Sequence, residues 1–289
     1  MMQWLDYLDA DIVPFHILPR LDGETLIVLS CVSTEFRNLI INNQDLMRKI
    51  CISIWPSLLY RDGIACRIIS RFPGSYCSFF SQAFPSIDYY HPFPPPPPRP
   101  VTTFVYAIDV FLQGRPFYRD LTMEQVDTTE YPSARKYDHL RKTFELQWYG
   151  WGDRKKFFHV KKEGCEEYLK QNMSFSCVVV ETKTKCAGSL FHPSTCKPVS
   201  VLKETSPIAI DVVFKTFIPA PGLYMEMVKC EVKITCHWED GKEDRFYMDT
   251  IHFTMDDMYG KQLTWWYGSL IISNVIENGV RRKINKKQT

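Results

Sequence analysis

A length of 289 residues suits about two domains, and 45% hydrophobic with 24% charged residues is an ordinary globular balance. Lys and Arg number 35 against 33 Asp and Glu, and the net charge of +2 gives no global electrostatic case for a nucleic-acid or anionic-membrane partner. No apolar run approaches the ~18 residues needed to span a bilayer, and the acidic opening MMQWLDYLDADIV is unlike a basic secretory leader.

The first ninety residues carry helical periodicity. Ile17, Leu18 and Leu21 share one helix face, with Asp11 as the expected N-cap and Pro14 in the first turn. Pro19 ends that helix and Asp22-Gly23 turns the chain. Leu26 and Leu29 start a second stripe. Val32, Phe36, Leu39 and Ile40 form a third, with Ser33 placed to cap it. Asn43 is placed to cap a helix bearing Leu46, Met47, Ile50, Cys51 and Ile54, which Trp55-Pro56 stops. Residues 64–84 read as one or two further short helices broken at Pro73-Gly74.

Residues 92–100, PFPPPPPRP, hold seven prolines in nine positions. Such a run favours polyproline II geometry and reaches roughly 28 Å at about 3.1 Å per residue. It reads as a semi-rigid spacer, the alternative being a P-x-x-P-x-R ligand for an SH3-type partner.

Beyond the spacer the period becomes two. Val228, Cys230, Val232, Ile234, Cys236 and Trp238 alternate with polar residues, and Asp240-Gly241 then signals a hairpin into Arg245–Met255. Comparable strands are predicted at Thr103–Leu112, Ser174–Glu181, Ile208–Ile218 and Leu263–Ile276, with Gln113-Gly114 turning the first of them. A short helix is expected near Glu166–Gln171. The fold class that follows is α+β, with N-terminal helices, a Pro-rich linker and a C-terminal antiparallel β-sandwich-like domain.

The ten cysteines form no CxxC pair, and they read as buried free thiols of a reducing compartment, cytoplasm or nucleus. The basic tail RRKINKKQT reads as a solvated end, or else as a nuclear-import signal. Histidines 16, 91, 139, 159, 192, 237 and 252 fit no metal or deaminase spacing, and GxSxG, P-loop and GxGxxG motifs are absent. Cys236 and His237 face opposite sides of a strand and so cannot easily share a ligand or proton. The expectation is a non-catalytic chain with no cofactor and no metal. Trp148, Tyr149, Trp151, Trp265, Trp266 and Tyr267 are the aromatics available to mark a binding surface, although core packing is the plainer role for them.

The segment Asp11–Leu58 resembles the F-box, the helical module that docks a substrate receptor on the Skp-type adaptor of a cullin-based ubiquitin ligase. The resemblance rests on I-x(4)-I-L-x-R-L from Ile12 to Leu21, on L-x-x-L-S-C-V-S-x-x-F-R-x-L from Leu26 to Leu39, and on L-M-R-K-I-C-x-x-x-W-P-S-L from Leu46 to Leu58. The last piece, FFSQAFP (Phe79 to Pro85) and MDDMYGKQLT (Met255 to Thr264) are similar to a plant subgroup that follows its F-box with a β-rich domain. Asp9-Ala10 replaces the usual opening Leu-Pro, and Phe36 stands where many members carry Trp.

The resemblance implies an F-box over 1–60, a helical extension over 61–91, the linker over 92–100, a substrate-recognition domain over 101–280 and a basic tail over 281–289. It also implies adaptor contacts from Ile12, Ile17, Leu18, Leu21, Leu26, Leu29, Val32, Phe36, Arg37 and Leu39. The partners it implies are the Skp-type adaptor, a cullin scaffold reached through that adaptor, and an unknown target protein. A carbohydrate-binding, lectin-like β-sandwich is the alternative from a different class.

Overall fold

The computed structural model describes residues 11–84, 87–90, 101–127, 143–149, 157–161, 163–192, 196–203, 209–220, 226–239, 241–242 and 244–281. The Pro-rich stretch 92–100, Asp9-Ala10, Trp151, Asp240 and the tail beyond 281 lie outside the described residues.

The chain is α+β. Its N-terminal helices are α1 (Gly23–Val32), α2 (Thr34–Asn42), α3 (Gln44–Ile54), α4 (Tyr60–Ile69) and α5 (Ser75–Ala83). Short helical turns precede α1 at Val13–Ile17 and Leu18–Arg20, and another, Pro56–Leu59, joins α3 to α4. Side-chain oxygens satisfy the orphan N–H groups at three helix starts. Asp22 accepts from Thr25 N at 2.7 Å, Ser33 from Phe36 N at 3.2 Å and Asn43 from Leu46 N at 3.2 Å. Asp11 does not cap with its side chain; its backbone carbonyl accepts from Phe15 N instead.

Two antiparallel sheets follow. The four-stranded sheet runs β3 (Arg115–Asp127), β2 (Val101–Leu112), β6 (Met173–Glu181), β7 (Cys186–Phe191). The larger runs β4 (Glu145–Tyr149), β11 (Arg245–Asp256), β10 (Met227–Trp238), β9 (Ala209–Pro219), β8 (Ser200–Lys203), with β5 (Phe157–His159) also pairing β11. The β2–β3 hairpin turns on Gln113 and Gly114, both at positive φ, as a type I′ turn requires. A small pair of strands, β1 (Ile87–Tyr90) and β12 (Gly279–Arg281), forms a two-stranded sheet of its own and buries Ile87 in the core between the larger sheets.

The inner faces of the two sheets meet in one apolar core. Phe104, Tyr106, Ile108 and Val110 of β2 oppose the Val228–Cys236 stripe of β10 and Phe246, Met248, Ile251, Phe253 and Met255 of β11. A bulge opposite Thr235 and Cys236 inserts Asp249 and shifts the parity of β11, which is why its apolar residues skip from 248 to 251. The outer face of the larger sheet is a mosaic of ion pairs. Lys229 contacts Asp256 at 2.8 Å and Glu231 at 3.4 Å, Lys215 reaches Glu231 at 3.2 Å, and Lys233 reaches Asp211 at 3.2 Å.

The helices cover the opposite face of the four-stranded sheet. Val105, Ala107, Leu121, Val178, Val180 and Ala187 share a second core with Leu18, Leu26, Phe36, Trp55, Phe79 and Phe80. The molecule is therefore three layers deep, with β2 and β6 buried on both faces. Trp55 sits at the junction, edge-on to Phe79 at 5.5 Å and to His192 at 6.2 Å. Burial drives the His192 pKa down to about 4, so the ring is neutral at neutral pH.

The expected strand at Leu263–Ile276 is instead a helix. After the short α6 (Cys165–Asn172), the last helix α7 covers Trp265–Asn278 and buries Gly268, Ile271, Ile272, Val275 and Ile276. That spacing of three, four, seven and eight is helical, and fourteen residues is long for a strand. Gly268 is the close-approach point, because a Cβ there would lie 2.7 Å from Phe144 Cγ. Gly268→Ala is expected to cost about 1–3 kcal/mol; unchanged chemical denaturation would show that the Phe144 ring has room to move.

Candidate functional site

α1 is the first place to look for a partner surface, because GETLIVLSCV is apolar almost all round. A helix of that kind needs cover on both sides. The chain covers one side, where Gly23 and Leu26 are buried and a Cβ on Gly23 would meet Ile50 at 2.8 Å. The other side carries Val28, Cys31 and Val32 at spacings of three and four, and all three are exposed. Val28 is 57% and Val32 59% exposed, both large values for valine. Phe15 at 67% and Ile17 at 41% add apolar surface from the preceding turn, and Ile41 adds more from the end of α2.

Local contacts hold this surface in shape. The cap bonds at Asp22 and Ser33 fix where α1 and α2 begin. Arg37 Nε donates to the Ser30 carbonyl at 3.1 Å, tying α2 to the last turn of α1. Glu35 is held below the usual carboxylate range by a backbone N–H at the start of α2 and by the Ser33 hydroxyl, so the α2 entrance stays negative.

The ten sequence-predicted contact residues divide. Ile17 and Val32 are exposed, while Ile12, Leu21, Leu29 and Leu39 are half-buried. Arg37 is exposed, but its guanidinium is used within the chain. Leu18, Leu26 and Phe36 are buried in the helical core of the free chain, beneath the exposed residues. The pattern passed over Phe15, Val28 and Ile41. The one available signal was the excess of apolar residues in α1 over what a single buried stripe needs.

The β-sandwich aromatics are dispersed. Trp148 is buried in the inter-sheet core, and Trp265 stacks on Phe144 at 4.7 Å. Trp266 packs edge-on to Tyr267 at 4.9 Å. The α7 helix rather than a strand carries this Trp-Trp-Tyr run, so helical spacing and not strand alternation sets which rings face outward. Tyr149 and Tyr259 are exposed. Among the described residues no three His, Cys, Asp or Glu side chains gather as a metal site, and no helix is long and apolar enough to cross a membrane. All ten cysteines are free, with Cys31 exposed, Cys186 half-buried and the others buried.

The site is thus a helical module with an exposed apolar stripe on α1, packed on a β-sandwich. Comparison with known proteins finds F-box proteins. A probable F-box protein of Arabidopsis thaliana is 25% identical over 96% of this chain and 78% of its own length. Two further F-box proteins of that plant are 30% and 32% identical, over 44% and 38% of this chain and about a third of their own length (32% in each case). The chain is thus similar to plant F-box proteins, in one case over nearly its whole length. No family model and no solved structure matches it.

Proposed function

We propose that this chain is the substrate-receptor subunit of an SCF-type ubiquitin ligase. Its N-terminal helices dock a Skp-type adaptor, and through it a cullin scaffold, while the β-sandwich recruits the target protein. In this reading the chain acts by tethering, which raises the target's effective concentration near the charged conjugating enzyme.

The observation that carries this reading is the exposed stripe Val28, Cys31 and Val32 on α1, in a segment that resembles the F-box. Exposed apolar area on a short helix is costly unless a partner covers it for part of the time. The free thiols support a reducing location, cytoplasm or nucleus.

The direct test is co-purification of the tagged full chain from plant cells. Adaptor and cullin should elute with it in stoichiometric amounts. Recovery without either one would overturn the proposal.

A further inference from the structure

Among the polar contacts between the helices and the four-stranded sheet, one has both side chains fully buried in apolar packing. Asp109 of β2 points to the helical side, and its side chain has no solvent exposure. Ser57, equally buried in the Pro56–Leu59 turn, meets it twice. The Ser57 N–H donates to Oδ1 at 2.8 Å, and Ser57 Oγ lies 2.6 Å from Oδ2. The two residues are 52 positions apart, so the contact is tertiary. It ties the turn that follows Trp55 to the centre of the sheet.

A buried carboxylate facing apolar packing is costly unless it is neutral or well paired. Its surroundings on each side are clear. The Pro56–Leu59 turn offers no titratable group. The cross-strand neighbour on β3 is Arg119, whose charge favours the ionised form, although its side chain is exposed. The cross-strand neighbour on β6 is Ser176, whose buried hydroxyl has no hydrogen-bond partner. Next to it, the Cys177 thiol is neutral, with its pKa driven up by burial.

We propose that the Ser57–Asp109 contact is a proton-dependent latch that sets how firmly the N-terminal helices are held on the β-sandwich. Protonated, Asp109 accepts the Ser57 N–H on one oxygen and donates from the other to Ser57 Oγ, and no charge is buried. Ionised, it still accepts from both donors but buries a charge that local opening would hydrate. The inference goes beyond adaptor docking and holds whichever partner covers α1.

The direction follows from linkage. Desolvation raises the Asp109 pKa from 3.8 to about 7, against the weaker opposing pull of Ser57 and then Arg119. A group whose folded pKa is raised in this way contributes most at low pH, and its contribution is lost as pH climbs toward the folded value. The latch is therefore tightest in acid and slackens up to about pH 7, levelling off above it. Neutral pH sits at the loose end of that range.

The Ser57 amide is itself a donor in the latch, so its hydrogen exchange in the full chain reports the opening directly. After correction for intrinsic exchange rates, its protection should fall by roughly tenfold per pH unit between about pH 5 and about pH 7. The amides of Val232 and Ile234 in β10 report global unfolding, which also hydrates Asp109, so the local opening is read from Ser57 exchanging faster than they do. Asp109→Asn keeps both hydrogen bonds and cannot ionise, so it should flatten the profile. A wild-type profile that is flat, or one that Asp109→Asn leaves unchanged, would overturn the latch. If the variant does not fold, the wild-type Asp109 carboxyl followed by carbon NMR decides the matter: titration near 7 supports the proposal, and titration near 4 ends it.

Discussion

The full-length chain carrying Val28→Asp and Val32→Asp together is expected to bind a Skp-type adaptor about a hundredfold more weakly than wild type. Two valines one helical turn apart present adjoining apolar area, and central positions of that kind cost roughly 2–4 kcal/mol when truncated at an interface. A carboxylate there would also be desolvated by the partner, which adds to the penalty. Both positions are exposed in the free chain, so thermal unfolding should move little. Isothermal titration against purified adaptor, with unfolding measured in parallel, separates the two effects. Unchanged affinity in the folded double variant would remove α1 from the interface. A charge at Leu18 would be a poor probe by comparison, because Leu18 is fully buried and its loss of binding would only report a broken core.

Trp55→Ala is expected to have the largest effect on stability, about 3–5 kcal/mol. Trp55 is fully buried and belongs to neither half of the molecule alone. It closes α3, and its ring meets Phe79 and Phe80 of the helices and His192 just beyond β7. Its removal would leave a cavity at the junction of the two halves. Because the helical core includes side chains of β2, β3, β6 and β7, helices and sandwich should unfold in one transition, in the variant as in wild type. Two separated transitions in denaturant, one for each half, would refute a shared core.

That shared core is the part of the fold least visible in the sequence. The change of period near residue 92 and the proline run beside it read as a boundary between two independent units. Local pattern locates helices and strands but does not say which faces meet, and Val105, Ala107, Val178 and Val180 gave no hint that helices would cover them. What local chemistry decides was legible. Ser33 and Asn43 cap the helices they were expected to cap, Gln113-Gly114 makes its turn, and β10 alternates as read because one of its faces meets water.

The failure at Leu263–Ile276 has a physical cause. A run such as LTWWYGSLII is apolar at both periods, so pattern alone cannot separate strand from helix, and length had to arbitrate. The inner and outer faces of α1 were hard to separate for a related reason. An all-apolar helix has two candidate faces, and only the packed structure shows that Leu26 belongs to the inside and Val28 to the outside.

The ion pairs on the outer face of the larger sheet have a consequence for behaviour in a crowded solution. Each pair is partly exposed and contributes little to folding. Together they spread both signs of charge over long strands that would otherwise offer a flat platform for a second molecule to stack against. The Lys, Asp and Glu side chains there make such stacking costly in dehydration on both copies. Unwanted association is thereby discouraged where the ion pairs lie, and Phe217 and Leu202 are exposed apolar residues among them.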